Sequence, residues 1–285
     1  MIANISRTAP AAAPSGPPGW LSLLSRPYPA VMGVLNITPD SFSDGGQFIA
    51  PECALAQARA MIAQGADIID IGAESTRPYG AEPVSAEEEL QRLQPILADV
   101  VSLGIPVSID SMKSAVIAWA LDAGATIAND VWGLQRDPDM ARLLAARHCP
   151  IVIMHNRDRA DAGIDIMADI AGFFAHSLET AAKAGISSEN IVLDPGIGFG
   201  KTPEQSMTVL ARLHQLGTFG LPLLVGASRK RFISSVSPSE PHQRLGGSIA
   251  AHLIAARGGA RIIRTHDVSE TVQALRVATA IWDKE

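Results

Sequence analysis

The chain has 285 residues, 47% of them hydrophobic, ample for one large core. Its 29 acidic against 23 basic residues leave a net charge of −6, which excludes the basic footprint that a nucleic-acid partner requires. The two cysteines, Cys53 and Cys149, stand in no metal-type or redox-type spacing, so a disulfide framework is not indicated, a reducing cytosol fits, and both are expected to be buried or half-buried.

Residues 1–29 read as a flexible Pro/Ala-rich lead-in and residues 30–285 as one catalytic domain. Pro10, Pro14, Pro17 and Pro18 break the apolar run that a signal peptide needs, and no later run is long enough to span a bilayer. Trp20–Leu24 is expected either to plug or to edge the domain. From there on, short apolar, β-branched runs alternate with segments of helical spacing. Val31–Leu35 precedes a helix over Cys53–Gln64, Asp67–Ile71 one over Ala86–Leu103, Pro106–Ile109 one over Ser114–Ala123, and Thr126–Ala128 one over Pro138–Arg147. Ile151–Met154 then precedes Ala168–Ala184, Ile191–Leu193 precedes Pro203–Leu216, Leu221–Val225 precedes Gly246–Arg257, and Arg261–Ile263 precedes Ser269–Trp282. Pro51 and Pro203 suit first helical turns, while Gly65, Gly104, Gly124 and Gly185 suit stops.

Eight strand–helix pairs predict an α/β protein, a single (β/α)8 TIM barrel with a short irregular N-terminal extension. A doubly wound open sheet would carry a Gly-rich fingerprint after its first strand, where this chain has Asn36-Ile-Thr-Pro39. Polar residues gather at the strand C-termini: Asn36, Asp70 to Glu74, Asp110, Asn129-Asp130, His155-Asn156, Asp194, Ser228-Arg-Lys230 and Arg264-Thr-His266. In such barrels those ends build the active site, and eight polar ends exceed what turn chemistry requires. Gly200-Lys201-Thr202 mimics the end of a phosphate-binding P-loop, but that motif needs glycine where Pro195 stands. Gly196, Gly198 and Gly200 are instead expected to allow close backbone approach, with Phe199 as an apolar wall.

Several of these ends are long, specific strings. They are Gly33-Val-Leu-Asn-Ile-Thr-Pro-Asp-Ser-Phe-Ser-Asp-Gly-Gly46, Asp70-Ile-Gly-Ala-Glu-Ser-Thr-Arg-Pro78, Ser108-Ile-Asp-Ser111 and Leu193-Asp-Pro-Gly-Ile-Gly-Phe-Gly-Lys201, with Asn129-Asp130, Met154-His155, Ser228-Arg-Lys230 and Arg264-Thr-His-Asp267. In this order and spacing, from about Val31 to about Asp267, the set resembles the dihydropteroate synthase family. The resemblance implies a cytoplasmic enzyme that joins 6-hydroxymethyl-7,8-dihydropterin pyrophosphate to p-aminobenzoate, releases pyrophosphate, uses Mg²⁺ and forms a homodimer through its late helices. Val272, Leu275, Val277 and Ile281 suit either core or interface there.

The implied site follows residue by residue. Carboxylates and amides bind the donor–acceptor edge of a pterin, and Asp110, Asn129 and Asp194 supply them, with Lys230 on the ring and Thr76 and Met154 beside it. Phe42, Pro78, Phe199 and Ser228 are expected around p-aminobenzoate, Arg77, Arg264 and His266 around pyrophosphate, and Asn36 on Mg²⁺. Lys230, Asp110, Asp194 and Asp44 are the catalytic candidates: the leaving group departs from a methylene whose positive charge the carboxylates favour. Taken singly, several positions have structural readings: Asp110 as a helix cap, Asp194 as a turn residue, Arg264 as a solvated strand end, His266 as a satisfied loop histidine, Arg229 as a solvated turn. Tyr79 departs from the family's Arg-Pro-Gly-Ala string and lengthens the second loop; it either crowds sulfonamide analogues of p-aminobenzoate or points to solvent. Two alternatives remain open: a pterin-binding methyltransferase acting with a corrinoid partner, and a non-catalytic pterin carrier.

Overall fold

The inward-facing residues of successive strands explain both the closure of the sheet and the placing of the site. In the computed structural model, which describes residues 19–37, 51–74 and 84–284, eight parallel strands form a closed barrel in sequential order. They are β1 (Ala30–Asn36), β2 (Ile68–Gly72), β3 (Val107–Asp110), β4 (Ile127–Asp130), β5 (Ile151–Met154), β6 (Ile191–Asp194), β7 (Leu223–Val225) and β8 (Ala260–Thr265). The helices are α1 (Trp20–Leu24), α2 (Pro51–Ala63), α3 (Ala86–Leu93), α4 (Leu97–Val101), α5 (Ser114–Asp122), α6 (Met140–Arg147), α7 (Ile166–Ala184), α8 (Pro203–Ala211), α9 (Arg231–Val236), α10 (Leu245–Arg257) and α11 (Val268–Trp282).

Strand side chains alternate, so one set faces the helices and the other the barrel interior. Leu35, Ile69, Ile71, Ile109, Ile153, Leu193, Val225 and Ile263 pack in the helix layer. Met32, Ile68, Ile127, Val152, Val192, Leu224 and Ile262 fill the lower interior. Leu23 and Leu24 belong to that same interior cluster, so α1 plugs the N-terminal end of the barrel. Arg261 fastens the plug, its Nε and Nη2 donating to Leu24 O at 2.9 and 2.6 Å, while Arg26 pairs with Asp67. Residues 20–29, expected as part of the flexible lead-in, are therefore structured.

Two helices differ from expectation. The helix expected over Ala86–Leu103 breaks into α3 and α4 around Pro95, which has no N–H to continue the ladder. The helix expected over Pro203–Leu216 stops at Ala211 and tightens into 3₁₀ turns over Leu213–Phe219, closed by Gly220 in the left-handed region. Its start follows the sequence signal: Thr202 and Gln205 form a capping box with Pro203 in the first turn. On α11, Val272 and Leu275 are buried in the core whereas Val277 and Ile281 are exposed. Cys149 is buried, and burial pushes its thiol up to about 12; Cys53, expected at least half-buried, is exposed on α2. Among the described residues no helix is long and apolar enough to cross a membrane.

Candidate active site

Two residues beyond four of the apolar interior positions, at the same pleat but one level higher, the side chain becomes polar. Ile68 is followed by Asp70, Ile127 by Asn129, Val192 by Asp194 and Ile262 by Arg264; β3 places Asp110 at the same level. Asp70, Asp110, Asn129 and Asp194 are all buried. Arg264 bridges two of them, Nε donating to Asp70 Oδ2 at 2.7 Å and Nη2 to Asp110 Oδ2 at 3.0 Å. Asn129 Nδ2 lies 3.3 and 3.2 Å from the two oxygens of Asp70. Asp110 Oδ1 is buried and has no hydrogen-bond partner, so the mouth holds an acceptor ready for a donor. Burial drives the Asp110 carboxyl up to about 7, against the opposing pull of Arg264, and Asp194 up to about 6, against the Gly196 N–H that Asp194 Oδ1 accepts at 2.7 Å.

Cations face these carboxylates. Lys230 stands just before α9 with its Nζ 4.0 Å from the centre of the Phe199 ring, a cation–π contact. Burial and the nearby Arg264 lower its ammonium to about 8, while Asp194 and Asp110 oppose the shift. Ser228 Oγ accepts from His266 N at 3.2 Å and lies 3.0 Å from His266 Nδ1. Burial and three neighbouring cations lower His266 to about 3, so its ring is neutral; a hydroxyl donating to Nδ1 assigns the ring proton to Nε2. Arg229 between them adopts a left-handed backbone, φ 57°, held by its N–H to Ser248 Oγ at 2.9 Å and by ion-pairing with Asp267. That turn sets Ser228 and Lys230 in place, and Arg229 itself pairs with Asp267 while its side chain stays partly exposed.

The described structure thus brings together Asp110, Asn129, Asp194, Lys230, Phe199, Ser228, His266 and Arg264, with Asn36 and Met154 at the ends of β1 and β5. Asp110 is no helix cap: Lys113 precedes α5, and its first N–H, from Ser114, goes to Asp137 Oδ2 at 2.7 Å. Arg264 is no solvated strand end. Phe42, Asp44, Thr76, Arg77, Pro78 and Tyr79 lie outside the described residues. Some polar strand ends serve the scaffold alone: Asp130 accepts from Trp132 N and Leu134 N at 2.9 and 2.7 Å. Asp70, one of the polar strand ends but without an assigned role in the sequence reading, joins Arg264 to Asn129; its place two residues after Ile68 in an apolar strand is the signal for it. Among the described residues no three His, Cys, Asp or Glu side chains gather as a metal cage.

Comparison with known proteins agrees with this geometry. Residues 32–266 match the family model described as pterin binding enzyme. The chain is 43% identical to dihydropteroate synthase of Bacillus subtilis over 89% of each protein. The structure of the Xanthomonas albilineans dihydropteroate synthase with 4-aminobenzoic acid superposes with a TM-score of 0.86 at 42% identity, covering 91% of this chain and 94% of that one. The same organism's enzyme in complex with 7,8-dihydropteroate gives 0.82 at 40% identity, covering 91% and 95%. With a relative this similar along nearly its whole length, and a family match spanning the barrel, the chain belongs to the dihydropteroate synthase family of pterin-binding enzymes.

Proposed function

We propose that this chain condenses 6-hydroxymethyl-7,8-dihydropterin pyrophosphate with p-aminobenzoate, giving 7,8-dihydropteroate and pyrophosphate. The observation that carries the reading is the inward ring of Asp110, Asn129 and Asp194, in which Asp110 Oδ1 is a buried, unpartnered acceptor, faced by Lys230 and Arg264. Asp110, Asn129 and Asp194 hold the pterin's N–H edge, with Lys230 on the ring, Met154 beneath it and Thr76 beside it. Phe199 walls the p-aminobenzoate ring together with Phe42 and Pro78, and the Ser228 hydroxyl turns its proton from His266 Nδ1 to donate to the carboxylate. Arg264, His266 through Nε2–H, and Arg77 hold the pyrophosphate. Asn36 offers a neutral oxygen, which suits Mg²⁺ carried on phosphate oxygens rather than caged by protein; the ion would neutralise the leaving group's charge.

The residues' part in the step follows from their charges. As the methylene C–O bond breaks, its electron pair goes to pyrophosphate, and ionised Asp110, Asp194 and the first-loop Asp44 favour the cationic pterin. The neutral amine forms the C–N bond and its proton leaves with pyrophosphate, so no strong general base is needed. A methyltransferase with a corrinoid partner has less support, because the Ser228–His266 pair and Lys230 against Phe199 are built for a second, anionic aromatic substrate. Turnover of dihydropterin pyrophosphate with p-aminobenzoate, set against methyl transfer from methyltetrahydrofolate, decides the matter. In that assay kcat/KM for the pterin should climb between about pH 6 and 7, as Asp194 and Asp110 ionise, and decline above about 8, as Lys230 loses its proton. A flat profile from pH 5.5 to 9 would remove all three from the rate-limiting chemistry.

The proposal extends to assembly and location. Val277 and Ile281 on α11 and Ile254 on α10 are exposed apolar residues on packed helices, the face expected for a homodimer. Ile281→Asp should convert a dimer to a monomer in sedimentation while leaving helix content unchanged; a wild type that already sediments as a monomer removes this reading. Two unpaired thiols support a cytoplasmic location, which cell fractionation would check.

A further inference from the structure

Beneath the mouth lies a buried lysine, its ammonium lowered by burial to about 7, that the reaction does not use. Lys201 is buried, and its Nζ meets three acceptors: His155 Nδ1 at 2.7 Å, Gly196 O at 2.9 Å and Phe199 O at 3.1 Å. An ammonium has three N–H donors, so the count closes without remainder. With Nδ1 accepting, the His155 proton is on Nε2, which donates to Asp169 Oδ2 at 2.9 Å; Asp169 Oδ1 in turn takes Arg157 Nη1 at 2.7 Å. His155 is fully buried, and Phe173 packs edge-on against it at 4.9 Å between ring centres. The chain Arg157–Asp169–His155–Lys201 therefore runs from the surface of α7 to the loop that follows β6.

Within that loop Ile197 is anchored in the core, while the cross-ties to the backbone on either side of it, at Gly196 and Phe199, come from Lys201. Asp194 is fixed by the sheet, since His155 N donates to Asp194 O at 2.8 Å. Beyond it Gly196, Gly198 and Gly200 have φ of 64°, 80° and 53°. A Cβ at Gly196 would sit 2.0 Å from His155 O, and one at Gly200 2.4 Å from Arg157 Cβ, so the loop is pressed onto the segment after β5. Phe199 N reaches only Gly196 O, at 3.0 Å, within the loop itself. Its carbonyl is tied across to the rest of the protein by Lys201, and its ring lies against Lys230.

We infer that Lys201 is a positioning residue for the second substrate: its ammonium clamps the loop after β6 to His155 so that the Phe199 ring stands at Lys230 as the wall for p-aminobenzoate. The inference rests on the placing of p-aminobenzoate against Phe199 proposed above. It predicts an asymmetry between substrates, because Asp194, on the pterin side, keeps its sheet hydrogen bond when Lys201 is lost, whereas Phe199 does not keep its tie. A lysine serving stability alone would shift both substrates alike or neither.

Steady-state kinetics of Lys201→Met, in the full chain with Mg²⁺, tests this. KM for p-aminobenzoate should rise about tenfold or more, while KM for dihydropterin pyrophosphate stays within about threefold. Equal changes in both constants, or no change in either, overturn the positioning role. Should Lys201→Met fail to fold, Asp169→Asn acts from the partly exposed end of the chain, loosening His155 without emptying the buried site. It should give the same selective rise at about threefold, and an unchanged KM for p-aminobenzoate there overturns the inference equally. Phe199→Ala separates the two layers of argument. An unchanged KM for p-aminobenzoate in that variant overturns the placing of the substrate itself, and the role of Lys201 falls with it. A raised KM there, with Lys201→Met and Asp169→Asn unaltered, overturns the clamp alone.

Discussion

Lys230→Ala should lower kcat/KM by at least about 10²-fold, the scale of losing one preorganised electrostatic donor in a water-poor site. Lys230 is the cation closest to where both substrates are proposed to meet: its ammonium lies on the Phe199 ring and within the fields of Asp194 and Asp110. Burial and Arg264 lower its affinity for a proton to about 8, so it is charged at neutral pH, and its desolvation is a cost that the apo fold carries. Removing it should therefore leave the melting temperature nearly unchanged or slightly raised. It stands before α9 without supplying a side-chain cap, so the helix does not depend on it. Near-normal turnover in a folded Lys230→Ala variant would take the residue out of the site.

Much of this arrangement is legible in the sequence because a β-strand has a period of two. Ile68 to Asp70, Ile127 to Asn129 and Val192 to Asp194 are apolar-to-polar steps on one face, and each step marks the level at which the barrel changes from core to mouth. Hence the strands and the polar residues of the mouth could be read from local pattern, whereas a pterin as their ligand comes from the family resemblance. What could not be read is pairing between strands distant in the chain. Arg264 and Asp70 are 194 residues apart, so their contact, and with it the place of Asp70 in the site, needs the closed barrel. The same holds for Lys201 and His155, 46 residues apart. In the sequence Lys201 looks like part of a failed phosphate-binding motif, and His155 like another polar strand end. Polar type alone does not separate a scaffold role from a site role either, since Asp130 satisfies its own turn whereas Asp194 caps a turn and lines the mouth.

Arg264→Met should destabilise the protein by about 3–5 kcal/mol at pH 8, the range for breaking a buried ion pair from one side. Arg264 reaches both Asp70 and Asp110, and the three side chains are only 17%, 0% and 6% exposed, so solvent does little to screen what is lost. Methionine keeps much of the volume, which confines the change to charge. The loss should also shrink as pH falls. Burial already sets Asp110 to about 7, with Arg264 the largest influence holding it down, so the variant raises it further. An unfolded aspartate titrates near 3.9, so in the interval between these values the folded state binds the extra proton and acidification favours folding. In the wild type, protonating Asp110 below about 7 removes its attraction to Arg264, so the advantage that the arginine confers declines there too. The gap between the two proteins should thus narrow from pH 8 to pH 5.5 without closing, because Asp70 still pairs with Arg264 in the wild type. Denaturant unfolding of both proteins at the two pH values measures it. A gap that stays constant would mean that Arg264 contributes packing and hydrogen bonds alone, and that its charge is not what holds the two carboxylates in the mouth.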